Sequence, residues 1–303
     1  MASEQYLTEL FDGSQPIVPS KLQELAGLSD ADAIAFRQHY LAAPERRRSQ
    51  VLEQLVAVAE DNAEFDFDAI FRTGLDDEAA EVRVQAIEGL WECQDRWLLA
   101  RFIQMAESDA EEPVRATAAA GLGKFVLLGA MDELRPTLVE QVEAALKRII
   151  DDVNEAPMVR RRAIESLGSS ADPEVNGIIR SAYHDEEQDL NIAAIYAMGQ
   201  HCDPAWLPAL LKELRNPDPL FRFEAARACG ELEDERAVAA LIDLTADDDS
   251  AVQEAALESL GRIGGDEAKR ALKRAAAEDD PRVSEVARAA LEELTFDENP
   301  KPF

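Results

Sequence analysis

The sequence predicts an all-α fold built as a stack of two-helix repeats, and three observations support this prediction. The 303-residue chain is 47% hydrophobic but has only 14 glycines and 14 prolines, which argues against a loop-rich fold. Ala, Leu and Glu dominate it, and all three are strong helix formers. One short pattern also recurs every 31 residues over much of the chain, as expected of a helical repeat array.

Seven apolar residues mark the first helix of each repeat, here called helix A. They are separated by 32, 45, 31, 31, 31 and 31 residues, and they are Val82, Val114, Val159, Leu190, Phe221, Val252 and Val283. Alanine stands four residues after each marker, a small residue seven after it, and Leu, Met or Cys eight after it. These offsets share one face of an α-helix, so we expect that face to be buried against neighbouring repeats.

A turn and a second helix, here called helix B, follow helix A. Glycine nine residues after the marker is predicted to end helix A with a positive φ angle, at Gly123, Gly168, Gly199, Gly230 and Gly261. Four aspartates thirteen residues after the marker are predicted N-caps of helix B: Asp95, Asp172, Asp203 and Asp234. Helix B is apolar at offsets 16, 19, 20 and 23. Neither helix buries its apolar face alone, so stacking must supply the core.

The pattern resembles HEAT repeats, specifically the short bacterial HEAT-like repeats of phycobilin lyases and of many uncharacterised proteins. Acidic residues precede a Val-Arg or Phe-Arg pair, and Ala and then Leu-Gly follow; the pairs are Val82-Arg83, Val114-Arg115, Val159-Arg160 and Phe221-Arg222. The resemblance implies a right-handed α-α superhelix, that is, a HEAT/armadillo-like solenoid. It implies little about function, because such arrays serve many unrelated roles.

The array is predicted to occupy residues 45–295 as a single solenoid domain. Residues 1–18 are predicted to form an extended N-terminal arm, residues 19–44 two capping helices, and residues 296–303 a flexible tail. The 45-residue interval exceeds the usual 31 by 14 residues. We assign them to a long amphipathic helix over 136–153, which is either a tolerated insertion or a ridge that contacts a partner.

Charge and cysteine usage limit the classes of partner. With 62 acidic and 31 basic residues the formal net charge is −31, a field that repels nucleic acids and anionic membranes. Few of the basic residues are lysine, so the charge also fits a salt-tolerant or GC-rich bacterial source. Three cysteines without a pairing motif fit a reducing compartment, and neither a signal peptide nor a membrane-spanning run is visible. We expect a cytoplasmic monomer.

Catalytic and metal-binding motifs are missing from the sequence. His184 and His201 fall in turns at opposite ends of the helices, a helix length apart, so they cannot share an ion. Deoxyhypusine hydroxylase is a HEAT-repeat enzyme that binds iron through His-Glu pairs, and no such pair occurs here. A phosphate-binding glycine loop, a Gly-x-Ser-x-Gly motif and a Cys-x-x-Cys motif are also missing. The sequence predicts no catalytic residue, no metal and no cofactor.

The surface of helix B is the predicted binding site for a partner. Leucines beside its core face either form the floor of an apolar groove or simply widen the core face. Its exposed positions carry a tryptophan and several cations, which are common contact residues, although the cations could instead pair with nearby glutamates such as Glu258, Glu267 and Glu278. The candidate partner-binding residues are Trp97, Arg180, Leu207, Leu211, Lys212, Arg236, Lys269, Arg270, Lys273 and Arg274.

Three functions remain open at this point. The first is a non-enzymatic scaffold or adaptor that binds a partner polypeptide on the helix B face, which is concave in HEAT stacks. The alternative is a bilin-lyase-like protein or assembly chaperone acting on a cofactor-bearing client, and the third is a structural spacer. A chromophore or metal bound after purification would favour the alternative, whereas colourless protein that retains a polypeptide would favour the scaffold.

Overall fold

The computed structural model describes residues 4–62 and 64–298, in which all regular secondary structure is helical. The α-helices are α1 Glu4–Phe11, α2 Pro19–Leu22, α3 Asp30–Ala42, α4 Glu45–Asp61, α5 Asp68–Gly74, α6 Ala80–Gly89, α7 Arg96–Ser108, α8 Glu112–Ala130, α9 Pro136–Asp151, α10 Pro157–Leu167, α11 Glu174–Tyr183, α12 Gln188–Gln200, α13 Leu207–Glu213, α14 Pro219–Leu232, α15 Val238–Leu244, α16 Ser250–Ile263, α17 Gly265–Ala275 and α18 Pro281–Glu298. None of the described helices is both long and apolar enough to cross a membrane. The predicted all-α fold is confirmed.

Contacts between residues divide the chain into two compact units, residues 1–163 and 164–303, with the boundary inside α10. In the first unit α4 contacts α6 and α6 contacts α8, so these A helices stack in chain order. Their B helices are α5, α7 and α9, and α3 contacts α5 as a B helix would. In the second unit the A helices α12, α14, α16 and α18 each contact the next, beside α11, α13, α15 and α17. The limits of 45–295 for one array stay a prediction.

The buried face of helix A follows the predicted offsets. The alanine four residues after each marker is fully buried in every repeat, at Ala86, Ala118, Ala163, Ala194, Ala225, Ala256 and Ala287. Four other positions depart from the pattern, because Gly89, Gly121, Phe221 and Leu291 are only half-buried. The periodic pattern therefore identified the core of the stack.

The extended arm predicted for residues 1–18 is wrong over its first half. Helix α1 contacts α3 and α4, and Phe11 lies edge-on to Phe36 with ring centroids 5.2 Å apart. Leu7 and Leu10 are also buried, because the apolar residues of this segment recur at helical spacing. Residues 12–18 are not helical. At the other end α18 continues through Glu298, past the predicted start of the tail at 296, and residues 299–303 lie outside the described residues.

The additional residues after Val114 lengthen both helices of their repeat, rather than helix B alone. Helix α8 has 19 residues and passes through Gly123, where the sequence predicts its end. Helix α9 has 16 residues. A Cβ atom on Gly129 of α8 would lie 2.6 Å from a methyl group of Val139 on α9, so the two extensions are in close contact. A partner-binding ridge at 136–153 stays a prediction.

The repeated glycines do not end helix A by taking a positive φ angle. Helices α12, α14 and α16 continue past them, and the residue with a positive φ angle comes three positions later, at Cys202 (φ 50°), Glu233 (φ 51°) and Gly264 (φ 70°). The glycines lie instead where the next helix A approaches, since a Cβ on Gly199 would be 2.7 Å from the Cα of Ala228. Close helix approach, and not a turn, requires glycine there.

Two of the four predicted N-caps, Asp203 and Asp234, are confirmed as caps of the 3₁₀ turns Pro204–Trp206 and Glu235–Ala237 that lead into α13 and α15, whereas Pro173 stands at the N-cap of α11. The carboxylates of Asp172, Asp203 and Asp234 accept hydrogen bonds of 2.9 to 3.0 Å from the backbone N–H two residues later. Asp95 makes no such bond, and its carboxylate instead accepts from Arg72 and from the indole of Trp97. Its role is therefore to hold side chains of two neighbouring B helices.

The arginine of the Val-Arg and Phe-Arg pairs joins one repeat to the next. Arg83 reaches Asp109 with two hydrogen bonds of 2.7 and 3.0 Å, and Arg222 reaches Asp247 with bonds of 2.7 and 2.8 Å. Each guanidinium also donates to two carbonyl groups of the turn before its own helix. These two-pronged contacts fix the spacing of successive A helices.

Candidate interaction surface

Two of the predicted contact cations lie over aromatic rings on the B helices of the second unit. The guanidinium carbon of Arg180 is 5.5 Å from the ring centre of Trp206, and the ammonium of Lys212 is 5.4 Å from that of Tyr183. Both distances are within the range of cation–π attraction. We call these residues and Glu213 the cation–aromatic cluster.

Glu213 organises this cluster from below the surface. Its carboxylate is 4% exposed and accepts from the Tyr183 hydroxyl, from the Lys212 ammonium at 2.8 Å and from the Asn216 amide at 2.6 Å. Burial by itself would raise the pKa of Glu213, but these donors outweigh burial and hold the pKa below its ordinary value. The hydrogen bond to Glu213, followed by that to Tyr183, raises the pKa of Lys212. Glu213 thus balances the charge of the Lys212 ammonium and fixes its position over the Tyr183 ring.

The last B helix, α17, carries the densest group of cations. Arg270, Lys273 and Arg274 are exposed, and Lys269 is half-buried. The first three form no ion pair with a carboxylate whose side chain the structure describes, so the predicted pairing with Glu258, Glu267 and Glu278 does not occur for them. Because positions i and i+4 share a helix face, this basic patch (Lys269, Arg270, Lys273, Arg274) is a continuous cationic strip.

The apolar groove floor is not accessible as predicted. Leu207 is 2% exposed and belongs to the core of the stack, as do Leu214 at 2% and Val238 at 4%. Leu211 remains half-exposed. Helix B contacts neighbours on two sides, which widens its buried face and places these side chains inside. The prediction of Leu207 as a partner contact is therefore wrong.

The two other predicted contacts are partly occupied by neighbouring side chains. Trp97 is 38% exposed, and the Arg72 guanidinium covers its ring at 4.6 Å. Arg236 is 67% exposed and pairs with Asp234 in its own turn.

Potential metal ligands are dispersed over the described residues, with no group of three or more His, Cys, Asp or Glu side chains that could hold an ion. His39 lies 2.9 Å from a Glu4 carboxylate oxygen, and His184 lies beside the ring of Tyr183. Cys93 and Cys229 are buried and Cys202 is exposed, all as free thiols. Burial raises the pKa of each thiol.

Sequence comparison agrees with the repeat geometry. Residues 142–212 and 207–292 match the family model for HEAT repeats. The chain contains HEAT repeats. The phycobilin-lyase-like subgroup stays a prediction, and no curated protein matches the chain.

Solved structures show a similar helical-repeat fold. Kap95p, in a structure with RanGDP, has a TM-score of 0.51 at 14% identity, with 96% of this chain and 45% of that chain covered. YibA of Escherichia coli has 17% identity, a TM-score of 0.46 and coverage of 84% and 97%. Human deoxyhypusine hydroxylase has 21% identity, a TM-score of 0.40 and coverage of 91% and 98%. The likeness to Kap95p supports the fold alone, and the other two similarities add no argument.

Sequence reasoning missed the carboxylate at the centre of the cluster, although the HEAT pattern contained a signal for it. Glu213 stands 23 residues after the marker Leu190, an offset that is apolar in the other repeats, as at Leu244. An acid at a core offset predicts a buried carboxylate that needs donors. Tyr183, Lys212 and Asn216 supply them.

Lys124 is a second group that the HEAT pattern does not reveal. Its ammonium donates to the carbonyl of Leu90 at 2.7 Å and that of Trp91 at 3.2 Å, and it lies 5.1 Å from the ring centre of Phe125. Burial lowers the pKa of Lys124 to about 8. The amine is therefore partly neutral at mildly alkaline pH.

A side-chain NMR titration tests this shift. The Cε resonance of Lys124, assigned with a Lys124→Arg variant, is expected to titrate near pH 8, while it would titrate near 10.5 in the unfolded chain. Because the folded state binds fewer protons between these values, this group adds stability as pH rises through them. A folded-state midpoint near 10.5 would contradict the burial of the ammonium.

Proposed function

We propose that this chain is a non-enzymatic scaffold that binds a partner polypeptide through the B-helix face of its second unit. The observation that carries the proposal is the cation–aromatic cluster together with the basic patch on α17. Aromatic and arginine side chains are enriched where proteins bind each other. Helical repeat arrays also offer extended surfaces for such contacts.

The partner surface that fits this face is acidic. The chain has a formal net charge of −31, yet Arg270, Lys273 and Arg274 are exposed on one helix without a described counter-ion. A cationic patch on an otherwise acidic protein attracts carboxylates locally, while the remaining surface repels most acidic proteins. This combination favours selective binding. The free thiols fit a reducing compartment, so we extend the proposal to the cytoplasm.

The alternative, a bilin-lyase-like protein or assembly chaperone, has no observation in its favour among the described residues. Chromophore binding would still be visible as colour in the purified protein.

The test is retention of a polypeptide from a lysate of the source organism by immobilised protein. We expect the triple variant Arg180→Ser, Arg270→Ser and Arg274→Ser to lose the retained polypeptide, because it removes three exposed cations of the B-helix face. Lys212 is kept, since its loss would strip a donor from buried Glu213. Equal retention by the triple variant and the wild type would overturn the placement of the surface.

A matched control removes cations from A helices. Arg227→Ser and Arg262→Ser change side chains that are 44% and 46% exposed and pair with glutamates of A helices. Adding Arg288→Ser, also on an A helix, equalises the charge change. This control is expected to retain the polypeptide, and its failure would indicate that net charge, not the B-helix face, governs binding.

A further inference from the structure

A buried arginine in the first unit lies beside two cavities and keeps most of its hydrogen-bonding capacity unused. Arg47 on α4 is 5% exposed. Its Nε donates to the carbonyl of Leu10 at 2.7 Å, while its Nη2 is buried and has no hydrogen-bond partner. A guanidinium offers five N–H donors, and leaving them unpaired in the interior is costly.

The first cavity has a volume of about 400 Å³, opens to solvent, and is lined by α1, the segment 12–18, α2 and α4. Its walls combine apolar side chains, such as Leu10 and Ile17, with Lys21 and Arg47. The second cavity, about 670 Å³, is lined by the same segment and also includes Arg47. The wall of the first cavity is half polar and half apolar and that of the second is mostly polar, and the first cavity's volume is within the range of small-ligand sites.

The charges around Arg47 select among anions. Glu9 and Asp12 also line the first cavity. Glu9 lies 4.0 Å from the Lys21 ammonium, and the Asp12 carboxylate accepts from the backbone N–H of Ser14 at 3.0 Å. Two carboxylates so near would repel a phosphate dianion more strongly than a monoanion.

We propose that the cavity beside Arg47 binds a carboxylate attached to an apolar group. The carboxylate pairs with the guanidinium of Arg47, and the apolar group lies against Leu10, Ile17 and Val18. This chemistry is that of a polypeptide C-terminus ending in an apolar residue, or of a free small carboxylic acid. The site lies in the first unit and does not depend on the scaffold role of the second.

Four probes distinguish these sources in NMR titrations that follow the Nε–H resonance of Arg47. N-acetyl-leucine represents a C-terminus, hexanoate a free acid, N-acetyl-leucinamide the same side chain without the charge, and inorganic phosphate an anion without an apolar group. We expect one or both acids to bind with a Kd on the order of 1 mM or tighter. The amide and phosphate should bind about tenfold more weakly or not at all.

Arg47→Gln is expected to weaken binding of the acid by about tenfold or more, since it removes a charged donor. Arg46→Gln is the matched control, because Arg46 is the exposed neighbour on the same helix and its loss changes the net charge equally. If loss of the Leu10 contact unfolds Arg47→Gln, the second variant is Val18→Asp. Val18 is 44% exposed and stands at the N-cap of α2, where aspartate is well tolerated. The new carboxylate would repel the bound acid and lower its affinity by about tenfold.

Binding of N-acetyl-leucine alone assigns the site to polypeptide C-termini, and binding of hexanoate alone assigns it to free acids. Either outcome supports the proposal if the Arg47→Gln or the Val18→Asp variant no longer binds the acid. No binding of either acid, equal binding of acid and amide, or binding of phosphate alone would overturn it. Unchanged affinity in both variants would also overturn it.

Discussion

Replacing Asp77 by alanine is expected to lower the free energy of unfolding by about 3 to 5 kcal/mol. The Asp77 carboxylate is 1% exposed. It accepts hydrogen bonds from Arg48 at 2.6 and 2.9 Å and from the Tyr40 hydroxyl at 2.5 Å. Its removal leaves a guanidinium that is 13% exposed without its counter-ion and a buried phenol without its acceptor.

The neighbouring Asp76 provides the control. Its side chain is 70% exposed and pairs with Arg101, and such surface pairs contribute about 0 to 1 kcal/mol. Urea unfolding followed by circular dichroism at 222 nm compares Asp77→Ala, Asp76→Ala and the wild type. Similar midpoints for the two variants would show that the Asp77 contacts do not hold the first unit together.

The same contacts predict a pH dependence. Burial by itself would raise the pKa of Asp77, but hydrogen bonds from Arg48, Tyr40 and the Ala79 N–H outweigh it and hold the pKa below its ordinary value. The stabilisation is therefore complete above the unfolded pKa of about 3.9 and is lost as pH falls through the lower folded value. The urea midpoints of wild type and Asp77→Ala should converge as pH falls from 7 towards 3, and a constant difference would contradict this.

The periodic core could be predicted from sequence because stacking allows only one pattern of buried positions on helix A. A helix that stacks on both sides must be apolar or small at offsets 0, 4, 7 and 8, and the fully buried Ala86 and Ala194 follow from that alone. The family resemblance added the name of the repeat but did not change the prediction of which residues are buried.

Residues with two possible roles were harder to assign. Glycine serves either a positive φ angle or close helix approach, and the sequence cannot distinguish these at Gly199. The positive φ angles occur at Cys202 and Glu233. Neither residue is a glycine, so the sequence gives no signal for this conformation. Helix α1 was missed for a related reason, since Gly13 and Pro16 suggested an extended segment that in fact starts after Phe11.

The candidate sites depend on contacts between distant residues, which periodicity does not encode. Leu207 and Leu211 share a predicted stripe, yet the first is buried and the second half-exposed, because the rotation of helix B against its neighbours decides between them. The exposed cations of α17 were predicted as contact candidates. Arg47 was not, since its burial depends on α1 covering it.

Gly199→Ala is expected to lower the free energy of unfolding by roughly 1 to 3 kcal/mol, although alanine is the better helix former by about 1 kcal/mol. The new Cβ would lie 2.7 Å from the Cα and 3.0 Å from the Cβ of Ala228. The nearer atom belongs to the backbone of α14, so relief requires the two A helices to separate. Separation would disturb the close packing between α12 and α14.

Gly177→Ala is the matched control because it makes the same chemical change inside another helix of the same unit. Gly177 is exposed on α11, and a Cβ there would meet no atom within 4 Å. We expect this variant to gain about 1 kcal/mol from helix propensity alone. The two substitutions should therefore shift the urea midpoint in opposite directions, and shifts of the same sign would refute the packing role of Gly199.

A double variant separates crowding from other effects of the new methyl group. Ala228→Gly removes the side-chain atom that lies 3.0 Å from the new methyl group, but the backbone of α14 stays 2.7 Å away. Combined with Gly199→Ala it should recover only part of the lost stability, with a favourable interaction energy of about 0.5 kcal/mol or more in the double-mutant cycle. Additive effects would mean that the Ala228 methyl group does not crowd the new one.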